Sequence, residues 1–350
     1  MDKRVTILDI AKKAGVSTGT VHRAVYGKKG VSDECRARIL EICAQCGYSI
    51  NASASALKRG TVHIAVAFPR PEAKDHWFYS NVWQGFHRYV DELRDYKLDI
   101  VELPYSTDIP HSQAIELQSC LYRWGDQLDG LITIGHFDPN CKKVIRAYRE
   151  RGIPIFLACD DAVGCGRIVC VQSNYDVTGA MTAELLSSQV PPDSAILLCA
   201  GDHLIPSHAR TVAGFERFIR NSGAELEIIR LYGYQNEGEL RELLAKTLDA
   251  RQDIRGAFSV SARLSVLLAE AVEERELTDR IRIIASDLFE ENIQNMKRGI
   301  VKNIIYKDPE QQAYCAAKIM GDYLLKGQQP LEEIQYVESR IIFQSTLDLF

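Results

Sequence analysis

From His63 to Tyr306 the chain repeats one pattern, a short apolar run followed by a longer amphipathic segment, and few folds tolerate that repetition. The runs are His63–Phe68, Leu98–Leu103, Gly130–Ile134, Ile153–Ala158, Arg167–Val171, Ala195–Ala200, Leu226–Tyr232, Gly256–Val260, Arg280–Ala285 and Lys302–Tyr306. Each has the length of a strand. Ser80–Leu93, Val177–Ser187, Arg210–Asn221, Leu264–Glu274 and Gln311–Leu325 have the length of helices. Alternating strand and helix implies parallel sheet with helices on both faces, because a parallel crossover needs a helix's length of chain. So many strands exceed one small sheet, and two doubly wound parallel-sheet subdomains are expected. Their approximate extents are 62–161 with 290–320, and 162–289 with 321–350. Lys58–Thr61 and Val163–Arg167 are the best linker candidates.

The first sixty residues read differently. They carry 11 Lys and Arg against 5 Asp and Glu, a balance of +6 in a chain whose formal net charge is −5. A basic head on an acidic body points to a polyanionic partner. No apolar run reaches membrane-spanning length, and "MDKRVT" has no secretory core, so a cytoplasmic protein without membrane attachment is expected. Its 10 cysteines are then free thiols.

Within the head, Thr6 can cap a helix whose apolar stripe is Ile7, Ile10, Ala11 and Ala14, and Gly15 ends it. Ser17 caps a second helix with Val21, Ala24 and Val25 buried. A third follows Ser32, with the stripe Cys35, Ile39, Ile42 and Cys46. Three short helices with a tight glycine turn make a helix-turn-helix unit. The second helix opens on Ser17-Thr18-Gly19-Thr20, which are poor helix formers. Small residues belong there if the helix front must approach base edges in the major groove. Thr18, Gly19, Thr20 and His22 would face DNA, Arg23 would pair with a guanine edge, and Ser17 would bind phosphate. Cys43-Ala-Gln-Cys46 has the spacing of half a zinc site but no second ligand pair nearby, so no metal is expected.

The head resembles the lactose repressor (LacI/GalR) family of bacterial transcription regulators. The shared pieces are V-T-I-x-D-I-A, A-G-V-S-x-x-T-V-x-R, V-S and G-Y-x-x-N-x-x-A-x-x-L, in order and at the family's spacing. The resemblance implies a head over 1–50 and a hinge with linker over 51–61. The hinge helix, Asn51–Lys58, would fold on DNA, with Asn51 and Ala54 at the duplex and Leu57 wedged into the minor groove. Ile50 stands where the family usually has proline.

The body, 62–350, is similar to the periplasmic-binding-protein-like domain that accompanies such heads. The aromatic stretch ending at Gly85, Asp287-Leu-x-x-Glu-Asn and Pro309-x-x-Gln312-x-Tyr314 carry that likeness. The resemblance implies an effector in the cleft between subdomains, with Phe78 and Tyr79 stacking on a sugar ring and Asp287 accepting from hydroxyls. Strand-end positions, where α/β ligands gather, add His136, Asp160, Ser261 and Lys307. Thr211 replaces the family's clamping arginine, with Arg210 adjacent. Converging Arg210, Arg263 and Lys307 would suit an anionic sugar derivative.

The expected function is therefore a sequence-specific DNA-binding regulator, a repressor controlled by a sugar or sugar derivative. It would act as a homodimer on a near-palindromic operator. "STLDLF" at the C-terminus offers no leucine heptads for a tetramer-forming coil. An enzyme is the alternative, but phosphate-binding, dinucleotide and serine-nucleophile loop motifs are missing, no cofactor is expected, and Cys159 is the one nucleophile candidate. A transport-type solute receptor would have no use for a basic head.

Overall fold

The computed structural model describes residues 7–25, 30–46, 60–72, 76–135, 139–233 and 236–350. Thr6, Asn51, Ala54, Leu57, the expected hinge segment and His136 lie outside the described residues, as does the side chain of His22. Two compact units form. One holds the head with Asp95–Lys97 and Asp322–Gln329, and the other holds Val62–Arg94, Leu98–Gly321 and Pro330–Phe350.

Among its described residues the head has three helices, α1 (Ile7–Ala14), α2 (Thr18–Val25) and α3 (Asp33–Gln45). Their facing stripes make a small core of Ile10, Ala14, Val21, Ala24, Ile39 and Cys43. Gly15, at φ 65°, takes the left-handed conformation that turns α1 into α2. Ser17 Oγ accepts from the Thr20 amide at 3.1 Å, the expected cap, and Ser32 Oγ accepts from the Cys35 amide at 3.3 Å and caps α3 in the same way. Arg38 donates to the Ala14 carbonyl at 3.0 Å and Arg36 to the Ala24 carbonyl at 3.3 Å. The third helix thus supplies partners for end-of-helix carbonyls that the first two leave open.

The body has two sheets. The first joins β1 (Val62–Ala67), β2 (Leu98–Glu102), β3 (Gly130–Ile134), β4 (Ile155–Ala158), β5 (Val169–Ser173) and β11 (Ile334–Val337) in the order β11-β5-β4-β3-β1-β2, all parallel. The second joins β6 (Ala195–Gly201), β7 (Glu227–Tyr232), β8 (Ile254–Ser259), β9 (Arg282–Ser286), β10 (Val301–Tyr306) and β12 (Arg340–Phe343) in the order β12-β10-β9-β8-β6-β7. Only β12 runs antiparallel. Central strands are buried on both faces. Along β6, Ala195, Leu197 and Cys199 enter one core while Ile196, Leu198 and Ala200 enter the other, the two-residue alternation of a strand between helix layers.

Helices α4 (His76–Glu92), α5 (Ser112–Trp124) and α6 (Pro139–Glu150) belong to the first half. Helices α7 (Tyr175–Ser187), α8 (Pro206–Ser222), α9 (Glu237–Ala250), α10 (Ala262–Glu273) and α11 (Glu290–Lys297) belong to the second. The long α12 (Pro309–Lys326) returns to the first half, where Tyr314 packs edge-on against Tyr89 at 5.8 Å. Among the described residues no helix is long and apolar enough to cross a membrane.

The sheets correct the expected subdomain division. β5 pairs with β4 in the first sheet, although it falls within 162–289, the expected second subdomain. Val163–Arg167 is not a linker between halves: Cys165 is buried, and Arg167 Nε lies 2.6 Å from Asp161 in a largely enclosed ion pair. β10 lies in the second sheet beside β9, and β11 in the first beside β5. The chain crosses between halves three times, after β5, β10 and β11. Hydrogen bonds lace the crossings together: Ser173 Oγ donates to the Lys307 carbonyl at 2.9 Å, and the Thr178 and Ser339 hydroxyls meet at 2.7 Å.

Candidate functional site

The C-terminal ends of β4, β8, β9 and β10 open on a cavity between the two sheets of the body, about 550 Å³ with the solvent at its mouth included. Four helices turn their first residues toward it. Phe78 and Tyr79 come from α4, Tyr175 from α7, Ser207 and His208 from α8, and Ala262 from α10. Their open amides and dipoles make the walls electropositive, which favours carboxylates there.

Asp160 follows β4 in the first half, yet its carboxylate caps α8 in the second. Its Oδ1 accepts from the Ser207 amide at 2.9 Å and its Oδ2 from the Ser207 hydroxyl at 3.0 Å. Burial pushes this carboxyl up to about 6, against the pull of Ser207's two donors and the positive charges of Lys307 and Arg210. His208, one residue on, is driven the other way. Burial, reinforced by Lys307, lowers its imidazole to about 3, so it is neutral. Its Nδ1 accepts from the Asp202 amide at 3.2 Å, which leaves the ring proton on Nε2.

Asp287 sits just past β9 with φ 67°, a left-handed conformation unusual for a residue with a side chain. The turn is held from behind: Asn292, fully buried, donates to the Ser286 carbonyl at 2.8 Å and the Asp287 carbonyl at 2.9 Å. The Asp-Leu-x-x-Glu-Asn pattern is therefore a device for aiming one carboxylate. Lys307 Nζ lies 2.9 Å from Asp287 Oδ2 and donates to the Val260 carbonyl at 3.2 Å, with both side chains almost fully enclosed. Ser261 lines the wall beside them and caps α10 through the Leu264 amide at 3.4 Å.

Phe78, Tyr79, Asp160, Ser261, Asp287 and Lys307, all singled out from sequence, thus share one cavity. Arg210 does not join them. Its guanidinium turns to Asp176, at 2.8 Å from Nε, and Asp176 also holds Arg217. Arg263 is paired with Glu237 at 2.6 Å, so the expected convergence of Arg210, Arg263 and Lys307 does not form. Each of the three has a carboxylate partner within the chain. Sequence reasoning missed Tyr175, which opens α7 where no apolar periodicity marks it, and did not place Ser207 and His208, in the first turn of α8, or Thr211, one turn on, at the effector. Cys159 is unsuited to nucleophilic work: burial holds its thiol well above the ordinary range, and Asp160 and Asp287 add to the effect.

In the head, Ser17, Thr18, Gly19, Arg23 and Ser32 are exposed and Thr20 is half-buried. The front of α2 is therefore free of bulky side chains at its surface, with one long cation a turn behind.

Residues 66–329 match the periplasmic binding protein domain family, and residues 6–51 match the family of bacterial regulatory proteins, lacI family. Catabolite control protein A of Priestia megaterium is 26% identical over 220 residues, covering 63% of this chain and 62% of that protein. Catabolite control protein A of Streptococcus mutans serotype c is 31% identical over 137 residues, 39% of this chain and 38% of that one. Both matches span less than two thirds of those relatives' length. An ABC transporter solute binding protein from Burkholderia graminis, solved with D-arabinose, superposes with a TM-score of 0.73 at 14% identity, over 83% of this chain and 97% of that one. This last is a likeness of fold. With a match spanning more than half of its length, the chain belongs to the periplasmic binding protein domain family, and its head is a domain of the lacI family of bacterial regulatory proteins.

Proposed function

We propose that this protein is a sequence-specific DNA-binding transcription regulator, a repressor, whose operator affinity is set by a small polyhydroxylated effector held in the cleft. The observation that carries the reading is the presence, in one chain, of an exposed small-residue helix front and a cavity lined by groups from two sheets. Thr18, Gly19 and Arg23 would read bases, Ser17 and Ser32 would bind phosphate, and Asn51, Ala54 and Leu57 would act at the minor groove. Two heads, one from each copy of a homodimer, would sit on the half-sites of a near-palindromic operator.

The charge balance of the cleft favours a neutral sugar. Lys307 is already matched by Asp287, His208 is neutral, and Asp160 accepts its hydrogen bonds from the neutral donors of Ser207. An anionic ligand would have to draw Lys307 away from Asp287. Phe78 and Tyr79, whose rings lie 5.3 Å apart edge to face, supply apolar area for one face of a sugar ring. The D-arabinose in the solute binding protein of like fold is a ligand of this kind.

Selection of bound sequences from a random duplex pool, with and without sugars, tests the reading. A two-fold symmetric site enriched under one condition and lost under the other is expected. No enrichment over bulk competitor in any condition rejects it. Calorimetry separates the effector classes: neutral sugars should bind and uronic or phosphorylated sugars should not.

A further inference from the structure

We infer that the three-helix head carries a dithiol, Cys43 with Cys46, that a peroxide closes into a disulfide. Cys43 lies in the last turn of α3 and Cys46 directly follows the helix, and the Cys46 amide still donates to the Ile42 carbonyl at 3.1 Å, so helical spacing persists through Cys46. Positions three apart on a helix share a face, with Cα atoms about 5 Å apart, inside the Cα window of a disulfide; their Cβ atoms, about 5–6 Å apart, must close to about 4 Å, so the end of α3 opens as the bridge forms.

Their surroundings divide the labour. Cys46 is partly exposed at the core's edge, and Lys13 Nζ lies 3.1 Å from its sulfur. Lys13 is thus the positive group placed to assist attack by that sulfur. Cys43 is buried among Ile10, Val21 and Ile39. Burial raises its thiol above the ordinary range and the neighbouring Cys46 raises it further, so the two sulfurs sense each other.

The chemistry takes two steps. Cys46, as thiolate, attacks one oxygen of hydrogen peroxide; an S–O bond forms, the O–O bond breaks, and water leaves after proton uptake. Cys43 sulfur then attacks the sulfenic sulfur of Cys46; the S–S bond forms, the S–O bond breaks, and a second water leaves. Two thiols are oxidised by two electrons and one peroxide is reduced to two waters. To reach Cys46, the Cys43 side chain must leave the core that seats α2. On the proposed DNA-binding reading, oxidation therefore weakens duplex binding.

The test treats the full chain with hydrogen peroxide, quenches with iodoacetamide and follows the tryptic peptide Ile39–Lys58, which holds these two cysteines and no others. Loss of two hydrogens without alkylation is expected before the remaining cysteines react. Lys13→Gln should slow the reaction and Cys46→Ser should abolish it. Full alkylation of the peptide while other cysteines oxidise, or an unchanged rate in Lys13→Gln, overturns the proposal. Duplex affinity read alongside keeps the two ideas apart. A disulfide that forms in a protein with no duplex preference even when reduced removes the DNA-binding reading and leaves the dithiol standing. Duplex affinity that is unchanged by a fully formed disulfide refutes the coupling to α2.

Discussion

Asp160 and His208 face the same cavity and hold protons in opposite senses. In the fold Asp160 titrates near 6 against an ordinary 3.8, so its contribution to stability falls as pH rises from about 4 to about 6. His208 titrates near 3 against 6.5, so its contribution falls as pH drops from about 6.5 toward 3. Between pH 4 and 6 the folded chain keeps a proton on Asp160 while the unfolded chain keeps one on His208, and the two dependences cancel. Single substitutions should expose them. Relative to the parent, Asp160→Asn should lose about 2–3 kcal/mol on acidification from pH 6 to pH 4, and His208→Gln should gain a similar amount. Urea unfolding at a series of pH values measures both difference curves, and flat curves would show that neither group is buried in these protonation states. The Lys307–Asp287 pair makes a second residue-scale case. Removing the ammonium with Lys307→Met leaves an enclosed carboxylate without its charge partner, at a cost of about 3–5 kcal/mol. Adding Asp287→Asn should recover much of that loss, and the double-mutant cycle should give a coupling of more than about 1 kcal/mol.

Elements explain both the success and the lateness of the sequence reading. Helix interiors were legible because their apolar residues recur every third or fourth position against a sheet. Helix starts were not: α4, α7, α8, α10 and α12 all begin ahead of the periodic segments, at His76, Tyr175, Pro206, Ala262 and Pro309. Their first turns face the cavity or a crossing between halves, where polar and aromatic residues replace the core stripe. The best-hidden part of the site is therefore the part built from helix N-termini. α8 also shows how closely the elements approach. A Cβ on Gly214 would stand 2.1 Å from the Asp176 carbonyl oxygen, and one on Gly179 would stand 2.0 Å from the Thr211 carbonyl oxygen. Backbone cannot yield as a side-chain tip can, so Gly214→Ala should destabilise by at least about 1–3 kcal/mol. Because α8 carries Ser207, His208 and Thr211, sugar affinity should fall with it. Denaturant unfolding and calorimetry on one preparation would show the two losses together. In α2 the expectation concerns reading rather than packing: Arg23→Ala should relax base preference at one operator position by about 1–3 kcal/mol. An equal loss on every sequence would make Arg23 a phosphate contact.

Across the whole chain, sheet membership was the least legible feature. β11 and β12 are short, half-exposed edge strands with Glu338 and Ser339 between them, and neither gives a strong apolar run. Their pairings with β5 and β10 join residues far apart in sequence, which local pattern cannot reveal. The same three crossings are where a change of angle between the halves would be absorbed, and this bears on regulation. If the effector shifts the balance between two body conformations that differ in operator affinity, linkage makes the coupling reciprocal. The factor by which a sugar changes operator affinity must equal the factor by which operator changes sugar affinity. We expect this equality to hold at each of several salt concentrations, although operator affinity itself should fall steeply as salt rises through counterion release at the head. Fluorescence anisotropy of labelled duplex, titrated at saturating and zero sugar, gives one factor; calorimetric sugar titration of free and operator-bound protein gives the other. Factors that agree at every salt concentration support coupling within one complex. A sugar that binds tightly but leaves both factors at one would mean that the cleft and the head act independently, since a ligand with equal affinity for two states shifts neither.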